Sequence, residues 1–349
     1  MAARPTARAF LANLALVAFS LLAFALAVEG VARPLFRRTH GHTYAQHHAF
    51  VPDPALVYHN NPEYFVWHDR PRDREGFFFI PPLDDANPSQ RLWVLGGSTS
   101  AAMPDGSDWP AQLQDLLADQ AVRVVNMGHE GYGSSQIDWL WRHEHDHVRP
   151  AVVIVFEGWN YRGALASRHA FKPFNASAPG DSWASRLSSS LVEWSAAYGS
   201  AFAYVHKHQH RDPCGALAPY PEMAQWEAEL TDLLTRISRR DRVFLVRFPG
   251  LAMRDDVQGL LGHGWDQRCV AEHFAFHRSE YEARLAVLER AAARAGVTLL
   301  DARAPYLARP PGQVASYFRD YCHQNREGNA VLAQAVRREL IRLGALPAG

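Results

Sequence analysis

Residues 91–100 read Arg-Leu-Trp-Val-Leu-Gly-Gly-Ser-Thr-Ser. The run Arg91–Leu95 is short and nearly continuously apolar, and it leads straight into two glycines and a serine. Such a run fits a strand buried on both faces, as in a parallel sheet. The glycines let the chain turn sharply and leave Ser98 at the strand's carboxyl end. In open parallel sheets that is the edge where ligands sit. A lone Gly-Ser turn is ordinary, so the reading depends on how the other strands end.

Four more runs have the same character: Val122–Asn126, Val152–Phe156, Val243–Phe248 and the weaker Val297–Asp301. Helix-like stretches stand between and after them, at Trp109–Leu117, Ile137–His147, Pro221–Arg239, Ser279–Ala295 and Arg326–Leu343. In the last three, apolar residues recur three and four apart. Alternation of this kind predicts an α/β fold, an open parallel sheet covered by helices. A long insertion, residues 162–220, interrupts it. Leu187, Leu191, Trp194 and Tyr198 recur there at helical spacing, as core or as a lid that shapes a pocket.

The strand ends carry the chemistry. The second is followed by Met127-Gly128-His129-Glu130-Gly131-Tyr132-Gly133-Ser134, where a glycine can bring a backbone N–H close to a ligand. The third is followed by Glu157-Gly158-Trp159-Asn160, where an amide can aim a donor into the same crevice. Beyond the fifth, across a loop, comes Asp320-Tyr321-Cys322-His323. The Asp-x-x-His spacing lets a carboxylate fix the tautomer of an imidazole and leave its other nitrogen as a base.

In this order, these four blocks resemble the SGNH (GDSL-like) hydrolase family over roughly residues 91–343. The resemblance implies a flavodoxin-like three-layer α/β/α sandwich with five parallel strands. It also implies roles: Ser98 as nucleophile and as one oxyanion donor through its N–H, Gly131 as a second backbone donor, and Asn160 as a third through its side chain. His323 would be the general base, oriented by Asp320. Two positions depart from the family pattern: Gly97 stands where its name motif has Asp, and Tyr161 stands where its third block has Asp. Gly180-Asp181-Ser182-Trp183 spells the name motif more literally, but no strand precedes it, and Asp181 or Ser182 reads as the cap of a helix starting near Trp183. The G-x-S-x-G elbow is absent, because Ser100 replaces its second glycine.

Composition narrows the classes. Lys+Arg and Asp+Glu are both 36, for a net charge of zero, which argues against a nucleic-acid partner. Three cysteines are too few for a disulfide scaffold, and no CxxC pair suggests a structural zinc. Cys214 and Cys269 could pair in an oxidising compartment or remain free; Cys322 reads as packing. His143, His145 and His147, like His206, His208 and His210, place an outer pair four residues apart. They read as polar helix ends rather than metal ligands. His129 reads as a loop residue. No metal or cofactor is expected.

Ahead of the domain, residues 1–9 form a tail and 10–28 a transmembrane anchor or signal segment. Phe10–Val28 is interrupted only by Asn13 and Ser20, and spans about 28 Å against a hydrocarbon core of ~30 Å. Residues 29–90 read as a proline-rich connector wrapping the domain at 91–345. Its Asp53-Pro54-Ala55-Leu56 and Gly76-Phe77 resemble the lead-in of membrane-anchored members. The expectation is a single-pass membrane protein whose domain is extracytoplasmic. It would be a serine esterase or deacylase for a small-molecule or glycan ester, working through an acyl-enzyme. The alternatives are an O-acyltransferase for an envelope polysaccharide and an inactive binding module on the same fold.

Overall fold

The computed structural model describes residues 7–40, 50–53, 57–60, 90–101, 103, 106–160, 191, 195–198, 200–201, 223–253, 270–310, 312–319 and 322–347. Its centre is a five-stranded sheet of β3 (Gln90–Gly96), β4 (Val122–Gly128), β5 (Val152–Phe156), β6 (Arg242–Arg247) and β7 (Thr298–Asp301). The strands are all parallel, in the order β4-β3-β5-β6-β7. That is the doubly wound order of flavodoxin-like folds, whose direction of winding reverses between the first and third strands. Here the reversal lies between β3 and β5.

The apolar runs become strands because both faces are covered. Leu92, Trp93, Val94 and Leu95 of β3, and Val153, Ile154 and Val155 of β5, have no exposed surface. The helices are α2 (Trp109–Leu116), α3 (Ser134–Val148), α4 (Met223–Ser238), α5 (Val270–Ala295), α6 (Ala304–Leu307) and α7 (Arg326–Arg342), following an N-terminal α1 (Ala7–His40). Helices α2 and α7 pack together on one side of the sheet; α3, α4 and α5 pack in succession on the other. This is the α/β/α sandwich.

Local signals set the helix starts. Asp108 caps α2 by accepting from the Ala111 N–H at 3.0 Å, with Pro110 in the first turn. Asn325 caps α7 by accepting from the Gly328 N–H at 2.9 Å. A side-chain cap of this kind is worth ~1 kcal/mol. Helix α3 starts three residues before the apolar pattern shows it, because the Gln136 side chain accepts from the Gly133 N–H at 3.0 Å. It ends at Arg149, whose φ of 48° is left-handed.

Boundaries differ from the sequence reading in places. Strand β6 spans Arg242–Arg247 rather than Val243–Phe248, since Phe248 has already left the ladder to pack beneath the loop after β5. Helix α5 begins at Val270, well before Ser279. The stretch after Val28 is helical up to His40 despite Pro34, and the connector contains an antiparallel hairpin, β1 (Phe50–Asp53) with β2 (Val57–Asn60). Residues 161–190, Cys214, Cys269, the second histidine cluster and the 180–183 motif lie outside the described residues.

Helix α1 is long and apolar enough to cross a membrane, and its large side chains are exposed, Phe19 and Phe24 at 69% each. A signal sequence has the same properties. Past the apolar stretch, Glu29 reaches the insertion. Its carboxylate accepts from Ser195 Oγ at 2.5 Å and from the N–H groups of Ala197 at 3.0 Å and Ala196 at 3.2 Å, and it pairs with Arg33 at 2.9 Å. Phe36 and Ala196 bury each other beside these bonds.

Ile154 sits at the middle of the sheet. The Ile154→Ala variant is expected to lose ~2–5 kcal/mol of stability, seen as a lower urea midpoint at an unchanged denaturant slope.

Candidate active site

The register of the three strands nearest the winding reversal brings their ends level. Gly96 of β3 lies opposite Gly128 of β4 on one side and Phe156 of β5 on the other. The segments that follow, 97–101, 129–133 and 157–160, therefore leave the sheet side by side. Both glycines are close approaches: a Cβ on Gly96 would lie 2.7 Å from the Phe156 carbonyl, and one on Gly128 would lie 2.6 Å from the Ser100 backbone.

Ser98 occupies a tight turn, with the Ser100 N–H donating to Gly97 O at 3.0 Å and the Ala101 N–H to Ser98 O at 3.2 Å. Beneath it, Asn126 Nδ2 donates to Ser100 O at 2.8 Å and to Asp108 Oδ1 at 3.3 Å, while Asn126 Oδ1 accepts from the Gly128 N–H at 2.9 Å. Trp109 Nε1 donates to Ser100 Oγ at 3.1 Å. These bonds hold the serine turn from behind. Burial pushes the Asp108 carboxyl up, against the lowering effect of the Met103 and Ala111 N–H groups that bond to it.

His323 comes from the other end of the chain. Phe318 and Gln324 pair as an isolated antiparallel bridge, and the Arg319 N–H donates to His323 O at 2.7 Å. Asn325, capping α7, follows two residues later. The result places His323 Nε2 at 2.8 Å from Ser98 Oγ, although the residues are 225 apart in sequence. Cys322 is buried, with Sγ 3.5 Å from His323 Nδ1. Asp320 lies outside the described residues.

The other two blocks meet over Gly97. A Cβ there would lie 2.2 Å from Asn160 Nδ2 and 3.1 Å from the Tyr132 carbonyl. The missing carboxylate of the name motif thus leaves the space that the Asn160 amide fills. Gly131 has a φ of 78°, in the left-handed region that favours glycine, and closes a turn in which the Tyr132 N–H donates to His129 O at 3.3 Å. Ser98, Gly131, Asn160 and His323 are thereby gathered at one rim.

A cavity of about 270 Å3 opens at this rim. Ser98 and His323 line it together with Thr99, Asp108, Glu130 and Arg319. His129 is fully buried and stacks on Tyr132 with centroids 4.6 Å apart, so it supports the loop from below. Two histidines of α3 have separate structural partners; the side chain of His147 lies outside the described residues. His143 Nδ1 lies 2.7 Å from Trp139 O, and His145 is held between Asp241 at 2.9 Å and Asp146 at 3.1 Å.

A family model for GDSL-like lipases and acylhydrolases matches residues 94–331. The chain belongs to that family. Ser98, Gly131, Asn160 and His323 all fall within the matched stretch. No curated protein matches the chain. Solved structures similar to it include the α/β hydrolase LAE5 from the metagenome of Lake Arreo, Spain, with 18% identity and a TM-score of 0.44, covering 74% of this chain and 97% of the other. The lipase/acylhydrolase from Enterococcus faecalis has 12% identity and a TM-score of 0.43, covering 72% and 95%. The acetylxylan esterase Axe2 from Geobacillus stearothermophilus has 16% identity and a TM-score of 0.44, covering 72% and 94%.

Two groups near the site gave no functional signal in the sequence. Asn126 is one polar residue near the end of an apolar strand, and Asp108 is one acidic residue before a helix-like stretch; only the fold shows that they meet under the serine turn. Glu157 is the second case, a carboxyl at 3% exposure just after β5. Burial raises its pKa from 4.5 to about 7, against the lowering effects of the Trp226 and Ser134 hydrogen bonds and of Arg284, and with a further upward push from Glu229.

Two outcomes follow from this geometry. Gly97→Ala forces the Asn160 amide aside, so if Asn160 serves as an oxyanion donor, hydrolytic turnover should fall about as far as in Asn160→Ala, ~10²–10³-fold, while thermal unfolding moves little. Glu157 favours its protonated form in the folded state. Its contribution to stability is complete below pH 4.5 and disappears as pH rises through about 7. Across that window the wild-type melting temperature should fall relative to Glu157→Gln, as read by calorimetry.

Proposed function

We propose that this protein is a serine-dependent ester hydrolase that works through an acyl-enzyme. The observation that carries the reading is the 2.8 Å contact between Ser98 Oγ and His323 Nε2 just past the carboxyl end of β3. A serine hydroxyl is a weak nucleophile at its own pKa, so a base must take its proton during attack. His323 Nε2 is within reach to do so.

Ser98 Oγ attacks the ester carbonyl carbon as its proton passes to His323. The carbonyl electron pair moves onto oxygen, and the oxyanion is received by the N–H groups of Ser98 and Gly131 and by Asn160 Nδ2. Collapse of the intermediate expels the alcohol, which takes the proton from His323. Water, deprotonated by the same imidazole, then releases the acid and restores Ser98. Asp320 orients the imidazole at Nδ1 and stabilises its cation in this reading. No step calls for a metal or cofactor.

The cavity's lining by Asp108, Glu130 and Arg319 suits a polar alcohol such as a glycan or another small hydroxylated molecule. With α1 in a bilayer, the domain would work at a membrane surface outside the cytoplasm. A sugar hydroxyl arriving in place of water would make the same residues an O-acyltransferase. Helix α1, which would keep the site beside envelope polymers, is the feature that favours this second reading.

The test is p-nitrophenyl acetate hydrolysis by the full chain. Ser98→Ala and His323→Ala should each reduce turnover roughly 10³-fold or more, and a fluorophosphonate should label wild type but not Ser98→Ala. Acceleration by glycan acceptors would identify the transferase. Absence of both turnover and label would identify a binding module.

A further inference from the structure

Behind the loops that carry Gly131 and Asn160 lies a buried polar network that the steps above do not use. Glu157 Oε2 accepts from Trp226 Nε1 at 2.9 Å, and the same N–H reaches Ser134 Oγ at 3.2 Å. Ser134 is the first residue of α3, directly after the Gly131-Tyr132-Gly133 turn. One indole N–H from α4 therefore joins the start of α3 to the end of β5. One and two residues beyond Glu157, further ties follow. Arg284 of α5, 2% exposed, donates from Nη1 to the Gly158 carbonyl and, at 3.3 Å, to the Trp159 carbonyl. Its guanidinium lies 5.5 Å from the centroid of the Trp159 ring.

The backbone there needs such ties. Gly158 has a φ of 143°, and a Cβ on it would lie 2.2 Å from the Phe248 ring. A glycine loses the most conformational freedom on ordering, and this one is two residues before Asn160. Position 157 could have been filled by an apolar residue like those of β5. A buried carboxyl is costly unless it is bonded, and what it adds over leucine is direction. Trp226 and Ser134 face it from α4 and α3; Arg284 of α5 and Glu229 of α4 are the charged groups acting on it.

We propose that Glu157 is a positioning residue: by bridging through Trp226 to Ser134, it sets the spacing between the Gly131 turn and the Asn160 amide, and so the geometry of the oxyanion donors. The inference rests on the hydrolase reading above. It concerns donors that act on the transition state, so its loss should appear in kcat rather than KM.

The experiment compares wild type, Glu157→Leu and Glu157→Gln in the full chain, with p-nitrophenyl acetate as substrate. Glutamine keeps an acceptor for the indole; leucine keeps the bulk alone. A displacement of the donors by about 1 Å costs roughly 10²-fold in rate. Glu157→Leu should therefore lose about ten- to a hundredfold in kcat, with KM within about threefold of wild type. Glu157→Gln should recover to within about threefold of wild type. A folded Glu157→Leu with wild-type kcat, a loss confined to KM, or a loss that glutamine does not recover overturns the proposal. If Glu157→Leu does not fold, Trp226→Phe removes the shared N–H and should show the same split; wild-type kcat in it overturns the proposal equally. If wild type has no turnover, or Ser98→Ala equals it, the hydrolase reading fails instead. The tie is then read by hydrogen exchange at residues 128–134 and 157–160, which faster exchange in Trp226→Phe supports and unchanged exchange overturns.

Discussion

The site depends on one constraint, the register of β3 with its two neighbours. Pairing Gly96 with both Gly128 and Phe156 makes three loops leave the sheet at one level. A shift of one residue in either pairing would turn alternate side chains to the other face. It would also carry a loop past the serine turn. The uninterrupted burial of β3 and β5 makes such a shift costly, because every residue between Leu92 and Leu95, and between Val152 and Phe156, is already packed on both faces. The hydrophobic core thereby fixes the geometry of the rim.

The last helix supplies the remaining piece. Helix α7 packs on α2, whose capping residue Asp108 also meets Asn126 beneath Ser98. Gln112 of α2 donates to Arg326 O at 3.1 Å, and Asn329 of α7 donates to Ser107 O at 2.8 Å. The helix after the histidine is thus bonded to the helix after the serine. This is why an imidazole and a hydroxyl from opposite ends of the domain meet within hydrogen-bonding distance. The pairing comes from helix–helix packing as much as from the sheet.

The strands and helices were legible because period and burial agree. Runs such as Val152–Phe156 are apolar throughout, as a strand covered on both sides must be. Ser98, Gly131 and Asn160 drew the reading because each stands just past a strand, where ligands gather in an α/β sheet, and His323 because it comes shortly before the last helix. What the sequence hid was lateral. Nothing in Asn126, Glu157 or Arg284 alone says that Asn126 lies under the serine turn, or that the other two lie behind the loops that carry Gly131 and Asn160. Those contacts join residues far apart in the chain, and single polar residues carry no periodicity. Gly97 is the instructive case: read as a missing carboxylate, it looks like a defect, yet its lack of a side chain is what admits Asn160.

The contact between Glu29 and residues 195–197 has a mechanical consequence. A domain joined to its anchor only by a pliant tether would sample many heights and tilts above the lipid. Here the carboxylate at the end of the apolar stretch grips residues 195–197 directly, so these residues are mounted as on a bracket. Were α1 to sit in a bilayer, the distance of residues 195–197 from the headgroups would be set by where the helix emerges, and turning the helix about its axis would turn them with it.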